Sequence, residues 1–373
     1  MSSPLKLQVS IEDQTLKVLQ DGDLLREFPV STAAKGMGFA EGSYRTPTGR
    51  FCIAAKIGTD LPIHTQFVGR EPVGEWDGQA LDGDMILSRI LWLDGQDPDN
   101  ANSKQRYIYI HGTQREDLIG QPASHGCVRM NNADVIELFD LVEEGTEVEI
   151  LPVTQTKGKL LFIDCDSTIS EIEGIDELAH SRGEEVFQQV VDLTNAAMNG
   201  DMPIAEVFPR RMDLIRPDRA VCDKIAQDYI DKKVEGIEEL LTEARERGWQ
   251  PVILSGGFAP LIQPLAEQLG IEHIEAVPIH LDEDGSYVDY GRDYPTTRNL
   301  GKNEVIRDWK AAMKPEKVAM IGDGVSDLET KPDVDLFVGF GGVVARDKVK
   351  EGCDLWLEDM TDRVALWKAL DTL

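Results

Sequence analysis

Residues 160–168 of the chain read Leu-Leu-Phe-Ile-Asp-Cys-Asp-Ser-Thr. The first four of these residues, all apolar, predict a short strand buried on both faces, as strands of a parallel sheet are. Asp164 and Asp166 follow this strand, and residues two apart in an extended chain point to the same side. Because ligands of open parallel sheets bind beyond the carboxyl ends of the strands, we expect both carboxylates to lie in a binding site. The alternative is that one aspartate only caps the next turn.

The rest of this half alternates between apolar runs and helical patterns. Further candidate strands are residues 252–254, 318–321 and 336–338. Strands that alternate with helices predict an α/β domain built on a parallel, Rossmann-like sheet. Residues 172–235 interrupt the alternation with a mostly helical stretch, which we interpret as an inserted cap.

Three more motifs follow in the same half. Residues 255–257 are Ser-Gly-Gly after a predicted strand, and they offer a hydroxyl and accessible backbone amides to a phosphate group. Lys302 begins a helical pattern, where a lysine is more often plain solvated surface. Residues 322–327 are Gly-Asp-Gly-Val-Ser-Asp after another predicted strand, and they add the carboxylates of Asp323 and Asp327. Each motif is weak alone, but the four in this order predict one site.

These four motifs resemble the signature of the haloacid dehalogenase (HAD) superfamily, and within it they are most similar to phosphoserine phosphatases. The resemblance covers about residues 159–360. Besides the four motifs it rests on residues 173–179, 197–198, 254–258 and 339–342, and on Arg211. It implies an α/β domain with an inserted helical cap, Mg²⁺ as the cofactor, and O-phosphoserine as the small-molecule substrate.

The resemblance also implies a role for each catalytic residue. Asp164 would attack phosphorus and form an aspartyl-phosphate, while Asp166 would protonate the leaving alkoxide and then activate water. Ser255 and Lys302 would neutralise the transferring phosphoryl oxygens. The implied magnesium ligands are Asp164, the backbone carbonyl of Asp166, Asp323 and, in support, Asp327.

Specificity for an amino acid phosphate is implied by two charged residues. Glu173 matches the position of an acid that binds the substrate ammonium group, and Arg211 matches an arginine that binds the carboxylate. The other implied substrate-binding residues are Met198, Gly256 and Gly257. Ile204 stands where the family often has phenylalanine, which predicts a looser apolar wall. The alternative is a phosphatase that accepts many small phosphoesters.

The first 150 residues contain alternating runs and turns, which predict a mainly-β domain. Residues 56–105 look irregular and too long for a plain connection, so we expect a lid or binding loop there. One helix is predicted over 134–142, before a closing strand. The expected organisation is a first domain over residues 1–152, a polar linker over 153–158 and a second domain over 159–373.

A cysteine in the first half has the neighbours that a nucleophile needs. Residues 124–130 are Ser-His-Gly-Cys-Val-Arg-Met, and His111 lies 16 residues before Cys127. A thiol becomes nucleophilic when a nearby base or cation lowers its pKa. The alternatives are a structural zinc site made by His111, His125 and Cys127, for which no fourth ligand is evident, and an inert buried thiol.

The full pattern resembles the L,D-transpeptidase catalytic domain over about residues 5–151. Residues 44–51 and 145–148 are similar to further elements of that family. The resemblance implies that Cys127 is the acylated nucleophile and His111 its base, and that no cofactor is needed. The residues implied to orient the thiol, line the oxyanion site or hold a carboxylate are Ser124, His125, Gly126 and Arg129. Family members often have asparagine at the position of Arg129, which leaves the preferred donor open.

Charge and length restrict the partners. The 373 residues carry a net charge of -30, which would repel nucleic acid phosphates and anionic lipid alike. The amino terminus has no secretory pattern and no stretch is apolar enough to span a membrane. Five scattered cysteines suit reduced thiols, so we expect a cytoplasmic protein that binds neither nucleic acid nor membrane.

The sequence therefore predicts a bifunctional enzyme, with cysteine acyl transfer in the first domain and phosphomonoester hydrolysis in the second. The expected partner of the first domain is a peptidoglycan-related peptide or precursor that contains a D-amino acid. The competing interpretation of the first domain is a module that binds peptides without turning them over. The sequence does not indicate an oligomeric state.

Overall fold

The computed structural model describes residues 4–79, 85–153, 158–198, 202 and 204–373. The chain divides into two compact units, the first made of residues 1–156 and 311–313 and the second of residues 157–310 and 314–373. The first unit is rich in β-sheet and the second is α/β, which confirms the two-domain prediction at that level. Within the described residues, no helix is long and apolar enough to cross a membrane.

The first unit is built around one large sheet. Its strands are β1 (Leu5–Ser10), β2 (Thr15–Gln20), β3 (Asp23–Pro29), β4 (Gly49–Ile57), β5 (Thr65–Val68), β6 (Glu71–Glu75), β7 (Ile86–Gly95), β8 (Tyr109–Gly112), β9 (Val128–Met130) and β10 (Glu147–Leu151). They lie in the order β3-β2-β1-β10-β4-β7-β5-β6, and β8 adds to β7 and carries β9. The pairs β1–β10 and β8–β9 are parallel and the other pairs are antiparallel. Helix α1 (Asn132–Leu141) packs on β7 and β8, close to its predicted span.

The prediction of an irregular segment over residues 56–105 was wrong. This part of the chain contains the end of β4 and the whole of β5, β6 and β7. Strand β7 lies between β4 and β5 and is buried along most of its length, so it does not alternate between apolar and polar residues. The short β5 and β6 form a hairpin rich in glycine and charged residues, which is a composition that also suits a loop.

The second unit has a parallel sheet in the order β13-β12-β11-β16-β17-β18. Its strands are β11 (Lys159–Ile163), β12 (Trp249–Phe258), β13 (His273–Val277), β16 (Lys317–Gly322), β17 (Leu336–Phe340) and β18 (Leu355–Leu357), and β14 (Ile279–Leu281) pairs with β15 (Tyr287–Tyr290) apart from it. Strand β11 is central because its apolar run, Leu160 to Ile163, is buried on both faces. Asp164 therefore lies at the carboxyl edge of the sheet, as predicted from residues 160–168.

The helices of this unit fall into two groups. Four helices follow β11 directly in the chain: α2 (Gly174–His180), α3 (Glu184–Met198), α4 (Ile204–Ile215) and α5 (Arg219–Asp231). The others connect or flank the strands: α6 (Ile237–Glu246), α7 (Ala259–Gln268), α8 (Gly301–Met313), α9 (Val325–Leu328), α10 (Asp347–Gly352) and α11 (Val364–Asp371). Helix α5 begins where the side chain of Asp218 accepts a hydrogen bond from Val221 N at 3.0 Å. The first group occupies the region that we predicted to be a cap.

Two candidate active sites

Three carboxylates meet at the carboxyl edge of the parallel sheet. Asp164 follows β11, while Asp323 and Asp327 belong to the turn and short helix after β16. Each of the three offers an oxygen within 4.8 Å of the others, and the side chains are only 7%, 3% and 0% exposed. Buried carboxylates need compensating positive charge, so the arrangement suits a cation.

Lys302 provides part of that positive charge. Its Nζ lies 3.0 Å from Asp164 Oδ1 and 2.5 Å from Asp327 Oδ1, and the side chain is buried. Burial alone would lower the pKa of Lys302, but the two carboxylates raise it above its ordinary value. Lys302 is therefore a fixed cation and not, as a lysine at a helix start more often is, a solvated surface group.

Asp327 is held by the glycine-containing turn that precedes it. The backbone N–H of Gly324 donates to its Oδ2 at 2.9 Å, and a side chain at Gly322 would collide with the carboxyl group. Burial and the neighbouring Asp164 raise the pKa of Asp327 to about 7. The two glycines of the predicted motif thus allow this carboxylate to approach the backbone.

Asp166 lies beside the cluster and is fixed through both oxygens. The hydroxyl of Tyr229 donates to Oδ1 at 2.6 Å, and the backbone N–H of Gly174 donates to Oδ2 at 3.1 Å. Burial, together with the charges of Glu173 and Asp164, raises the pKa of Asp166 to about 8. A carboxyl group with that pKa is mostly protonated at neutral pH and can donate a proton.

The Ser-Gly-Gly motif lies within β12, which is longer than predicted and shifts register between Leu254 and Phe258. The backbone N–H of Gly257 donates to Ser255 Oγ at 2.9 Å. A Cβ atom at Gly257 would lie 3.3 Å from both carboxylate oxygens of Asp166, which is a tight contact that glycine avoids. At Gly256 the same Cβ atom would meet open space.

Glu173 directly precedes α2, and its side chain makes no capping hydrogen bond to that helix. Ser167 Oγ donates to its Oε1 at 2.7 Å, and Arg346 Nη2 lies 3.8 Å from the same oxygen. Burial raises the pKa of Glu173, while Ser167 opposes the rise. Arg346 also forms an ion pair with Asp323. The sequence analysis missed Arg346, because no motif or spacing distinguishes it from other arginines.

Arg211 lies on α4, with its guanidinium 5.4 Å from the ring of Phe208 and its Nη1 3.4 Å from Thr194 Oγ1. Within the described residues, its buried Nε has no hydrogen-bond partner. Burial lowers the pKa of Arg211, and Asp176 partly offsets this effect. An arginine with an unsatisfied buried N–H is suited to an anionic group. The side chains of Met198 and Ile204 lie outside the described residues.

The candidate cysteine site lies in the first unit, where β8 and β9 run parallel and His111 pairs in register with Arg129. Cys127 precedes β9 and is partly buried. Ser124 Oγ donates to the carbonyl of Cys127 at 2.6 Å and accepts from Gly126 N at 3.2 Å. Gly126 has a φ of 126°, which favours glycine. Ser124 and Gly126 therefore shape the loop that presents the thiol.

His111 is buried, and its Nδ1 lies 2.8 Å from the carbonyl oxygen of Gly112. A hydrogen bond to that carbonyl requires a proton on Nδ1, so Nε2 is the proton-accepting nitrogen of the neutral ring. The thiol of Cys127 lies 3.4 Å from the carbonyl oxygen of Tyr107. His125 is exposed and forms an edge contact with Tyr44 at 5.8 Å between centroids. In the described part of the chain, the carboxylates of the acidic cluster lie close enough together to bind one metal ion. The side chains of His111, His125 and Cys127 do not.

Each half of the chain matches a known protein family. Residues 5–150 match the L,D-transpeptidase catalytic domain, and residues 159–330 match haloacid dehalogenase-like hydrolases. A phosphoserine phosphatase of Bos taurus is 33% identical over 201 residues, which are 53% of this chain and 88% of that protein. The Homo sapiens enzyme is 34% identical over the same shares, and the chloroplastic enzyme of Arabidopsis thaliana is 35% identical over 59% of this chain and 76% of that protein.

Solved structures resemble the same half. A phospho-aspartyl intermediate analogue of phosphoserine phosphatase is 25% identical and covers 57% of this chain and 99% of that chain, with a TM-score of 0.48. A substrate-bound phosphoserine phosphatase complex is 24% identical and has the same coverage and TM-score.

Proposed function

Because the chain belongs to the phosphoserine phosphatase family of haloacid dehalogenase-like hydrolases, with an L,D-transpeptidase catalytic domain fused ahead of it, we propose that it is a bifunctional enzyme. The second domain hydrolyses O-phosphoserine to serine and phosphate, and the first transfers an acyl group through Cys127. The observation that carries the phosphatase proposal is the contact of one buried ammonium group, Lys302, with the carboxylates of Asp164 and Asp327.

The donor set fits Mg²⁺. Three buried carboxylates face one buried ammonium group, and the charge that remains is negative even with Arg346 paired to Asp323. Magnesium prefers oxygen ligands, which Asp164, Asp323, Asp327 and the backbone carbonyl of Asp166 would supply. The ion would add positive charge next to the transferring phosphoryl group.

The chain's own residues divide the reaction into two displacements. The carboxylate of Asp164 attacks phosphorus, the bond between phosphorus and the serine oxygen breaks, and Asp166 gives its proton to the leaving alkoxide. Asp166 then takes a proton from water, which attacks the aspartyl-phosphate, releases phosphate and restores Asp164. Lys302 and Ser255 stabilise the charge on the phosphoryl oxygens. The raised pKa of Asp166 supports its part as the initial acid.

The helices α2 to α5 act as the cap that selects the substrate. Glu173 receives the ammonium group of phosphoserine, and the guanidinium of Arg211, with its unsatisfied Nε, receives the carboxylate. Gly256 and Gly257 complete the binding site. A substrate with a phosphate, an ammonium and a carboxylate group is then held at three points.

In the first domain, the thiolate of Cys127 attacks a peptide carbonyl, a thioester forms, and the amide C–N bond breaks as His111 protonates the leaving amine. An acceptor amine then attacks the thioester and releases the thiol. His111 supports this proposal because its hydrogen bond to Gly112 directs Nε2 to proton transfer. Ser124, His125, Gly126 and Arg129 orient the thiol and the donor, which is a peptidoglycan-related peptide or precursor with a D-amino acid. We place both activities in the cytoplasm, where five cysteines that form no disulfide stay reduced.

Phosphate release from L-phosphoserine by the full-length chain tests the first activity, with Asp164→Asn as the inactive control. Exchange of a fluorescent D-amino acid into a peptide tests the second, with Cys127→Ala as the control. Binding of the peptide without exchange would replace acyl transfer by the alternative of a peptide-binding module.

A further inference from the structure

One arginine outside the predicted motifs, Arg70, is connected through aromatic residues to the candidate nucleophile of the first domain. Arg70 is at the tip of the hairpin of β5 and β6, with its guanidinium 4.6 Å from the ring centroid of Trp92 and 5.0 Å from that of Tyr107. Its Nη1 donates to the hydroxyl of Tyr109 at 3.2 Å. Three aromatic side chains therefore hold one guanidinium group in place.

The same aromatic residues contact the thiol. The carbonyl oxygen of Tyr107 lies 3.4 Å from Cys127 Sγ, and Cys127 packs against the cluster that contains Tyr109. Trp92 stacks on Tyr107 and meets Tyr109 edge-on, so the group is continuous. Arg70 is thus linked to Cys127 through direct contacts of Tyr107 and Tyr109.

The backbone of this arrangement is in an unfavourable conformation. Gly69 and Arg70 form a two-residue hairpin connection, with φ values of 56° and 74°. Such a connection favours glycine or asparagine at its second position, and arginine there costs on the order of 1 kcal/mol. Tyr107 also has a positive φ, of 56°. Arg70 and Tyr107 therefore both have a backbone conformation that favours glycine. Side chains kept in such conformations cluster at functional sites.

The Arg70 guanidinium is partnered by aromatic residues. Within the described residues, Tyr109 and Tyr107 raise the pKa of Arg70 and no carboxylate forms an ion pair with it, although Asp and Glu outnumber Lys and Arg by 68 to 38 over the whole chain. Arg129, by contrast, is 3% exposed within β9. In a protein with a net charge of -30, an anionic substrate needs a local cation to approach the thiol.

We propose that Arg70, whose guanidinium lies over the rings of Trp92 and Tyr107, is an anion subsite that binds a carboxylate of the molecule that reacts with Cys127. The guanidinium keeps N–H donors for a paired hydrogen bond to a carboxylate while its face contacts the rings. The ligand class is a peptide with a free carboxylate near its reactive carbonyl. The peptide part rests on the proposed acyl transfer, whereas the anion subsite itself does not.

Two small thiol reagents test the subsite without any assumption about acyl transfer. Iodoacetate is an anion and iodoacetamide is its neutral amide, and both transfer a two-carbon group to the thiolate as iodide leaves. Peptide mass spectrometry measures the rate at which each reagent alkylates Cys127. We expect the iodoacetate rate divided by the iodoacetamide rate to fall at least about fivefold in Arg70→Gly. The fall should disappear at high salt, and Arg70→Lys should keep part of the preference.

Arg70→Gly is the informative variant because glycine suits the backbone at this position. Its thermal stability should equal or exceed that of the parent protein, so loss of the anion preference cannot be attributed to unfolding. Arg26→Gln removes an exposed arginine that pairs with Glu137 on the same domain, and it should leave the ratio unchanged. An unchanged ratio in Arg70→Gly would overturn the subsite.

A second measurement compares a peptide that ends in L-lysyl-D-alanine with its carboxamide, as acyl donors to Cys127. We expect Arg70→Gly to slow acylation by the carboxylate about tenfold or more and to leave the carboxamide rate unchanged. Failure of both peptides to acylate the parent protein, with the reagent ratio still lowered in Arg70→Gly, would reject acyl transfer and retain the subsite. Equal slowing with both peptides would contradict carboxylate binding.

Discussion

The hydroxyl of Tyr229 donates a 2.6 Å hydrogen bond to Oδ1 of Asp166, although 63 residues separate them in the chain. Tyr229 is fully buried on α5, and the other oxygen of Asp166 accepts from the first residue of α2. Both contacts come from the predicted cap. The orientation of the proposed acid therefore depends on helices outside the parallel sheet.

The first prediction concerns this hydrogen bond. Tyr229→Phe should lower kcat for phosphoserine about 10-fold while KM changes little, because Asp166 acts in the chemical steps and not in substrate binding. Steady-state kinetics with phosphoserine measure both values. A larger change in KM than in kcat would assign Tyr229 to substrate binding instead.

A paired variant is the control for Tyr229. A side chain at Gly174 would overlap with the Tyr229 hydroxyl, so Gly174→Ala alone should reduce activity and stability. Removal of the hydroxyl in Gly174→Ala/Tyr229→Phe takes away the closest contact, and the two effects should be less than additive. Additive losses would show that the two positions act independently.

The second prediction is metal dependence. Removal of divalent ions with EDTA should abolish phosphatase turnover, and Mg²⁺ should restore it, because three buried carboxylates share one site with a single lysine. Addition of Mg²⁺ should also raise the melting temperature of the parent protein, since a ligand that binds the folded state stabilises it. The shift should be smaller in Asp323→Asn, and full activity after exhaustive chelation would contradict the magnesium assignment.

The third prediction concerns the substrate carboxylate. Arg211→Ala should lower kcat/KM for phosphoserine by about 10- to 150-fold, which corresponds to a lost charged hydrogen bond of roughly 1.5–3 kcal/mol. Hydrolysis of p-nitrophenyl phosphate should barely change, because that substrate has no carboxylate. The neighbouring Arg210→Ala, which removes an exposed arginine near Glu206, should leave both substrates unaffected. Equal losses on the two substrates would remove Arg211 from specificity.

The fourth prediction is independence of the two activities, since no residue of either proposed site comes from the other unit. Cys127→Ala should abolish acyl transfer and leave kcat for phosphoserine within about twofold of the parent value. Asp164→Asn should have the opposite effect. Each activity is measured on the same preparation, and circular dichroism confirms the fold. Loss of both activities in a folded single variant would reject two separate sites.

The fold and the site were predictable where short-range pattern and strand order were sufficient. The apolar run before Asp164 predicted β11. The meeting of Asp164, Asp323 and Asp327 follows from neighbouring parallel strands, β11 and β16, which end at one edge.

Other features depend on tertiary contacts that no local pattern encodes. Tyr229 and Arg346 reach Asp166 and Asp323 only because distant helices and loops pack beside the sheet. Strand β7 was missed because burial on both faces removes the alternation expected of a strand. Arg70 was missed because a charged hairpin tip looks like ordinary surface until its aromatic neighbours are known. The assigned roles of the site residues and the boundaries of the cap stay predictions.

Trapping of the covalent intermediate would show whether phosphoserine is hydrolysed through Asp164. The full-length protein is mixed with phosphoserine and Mg²⁺, quenched within the first turnover and reduced with borohydride, which converts an aspartyl-phosphate to homoserine. Peptide mass spectrometry then locates the change. We predict homoserine at position 164 only when phosphoserine is present, and none in Asp164→Asn. Rapid turnover with no change at position 164, or a change at another residue, would contradict the account.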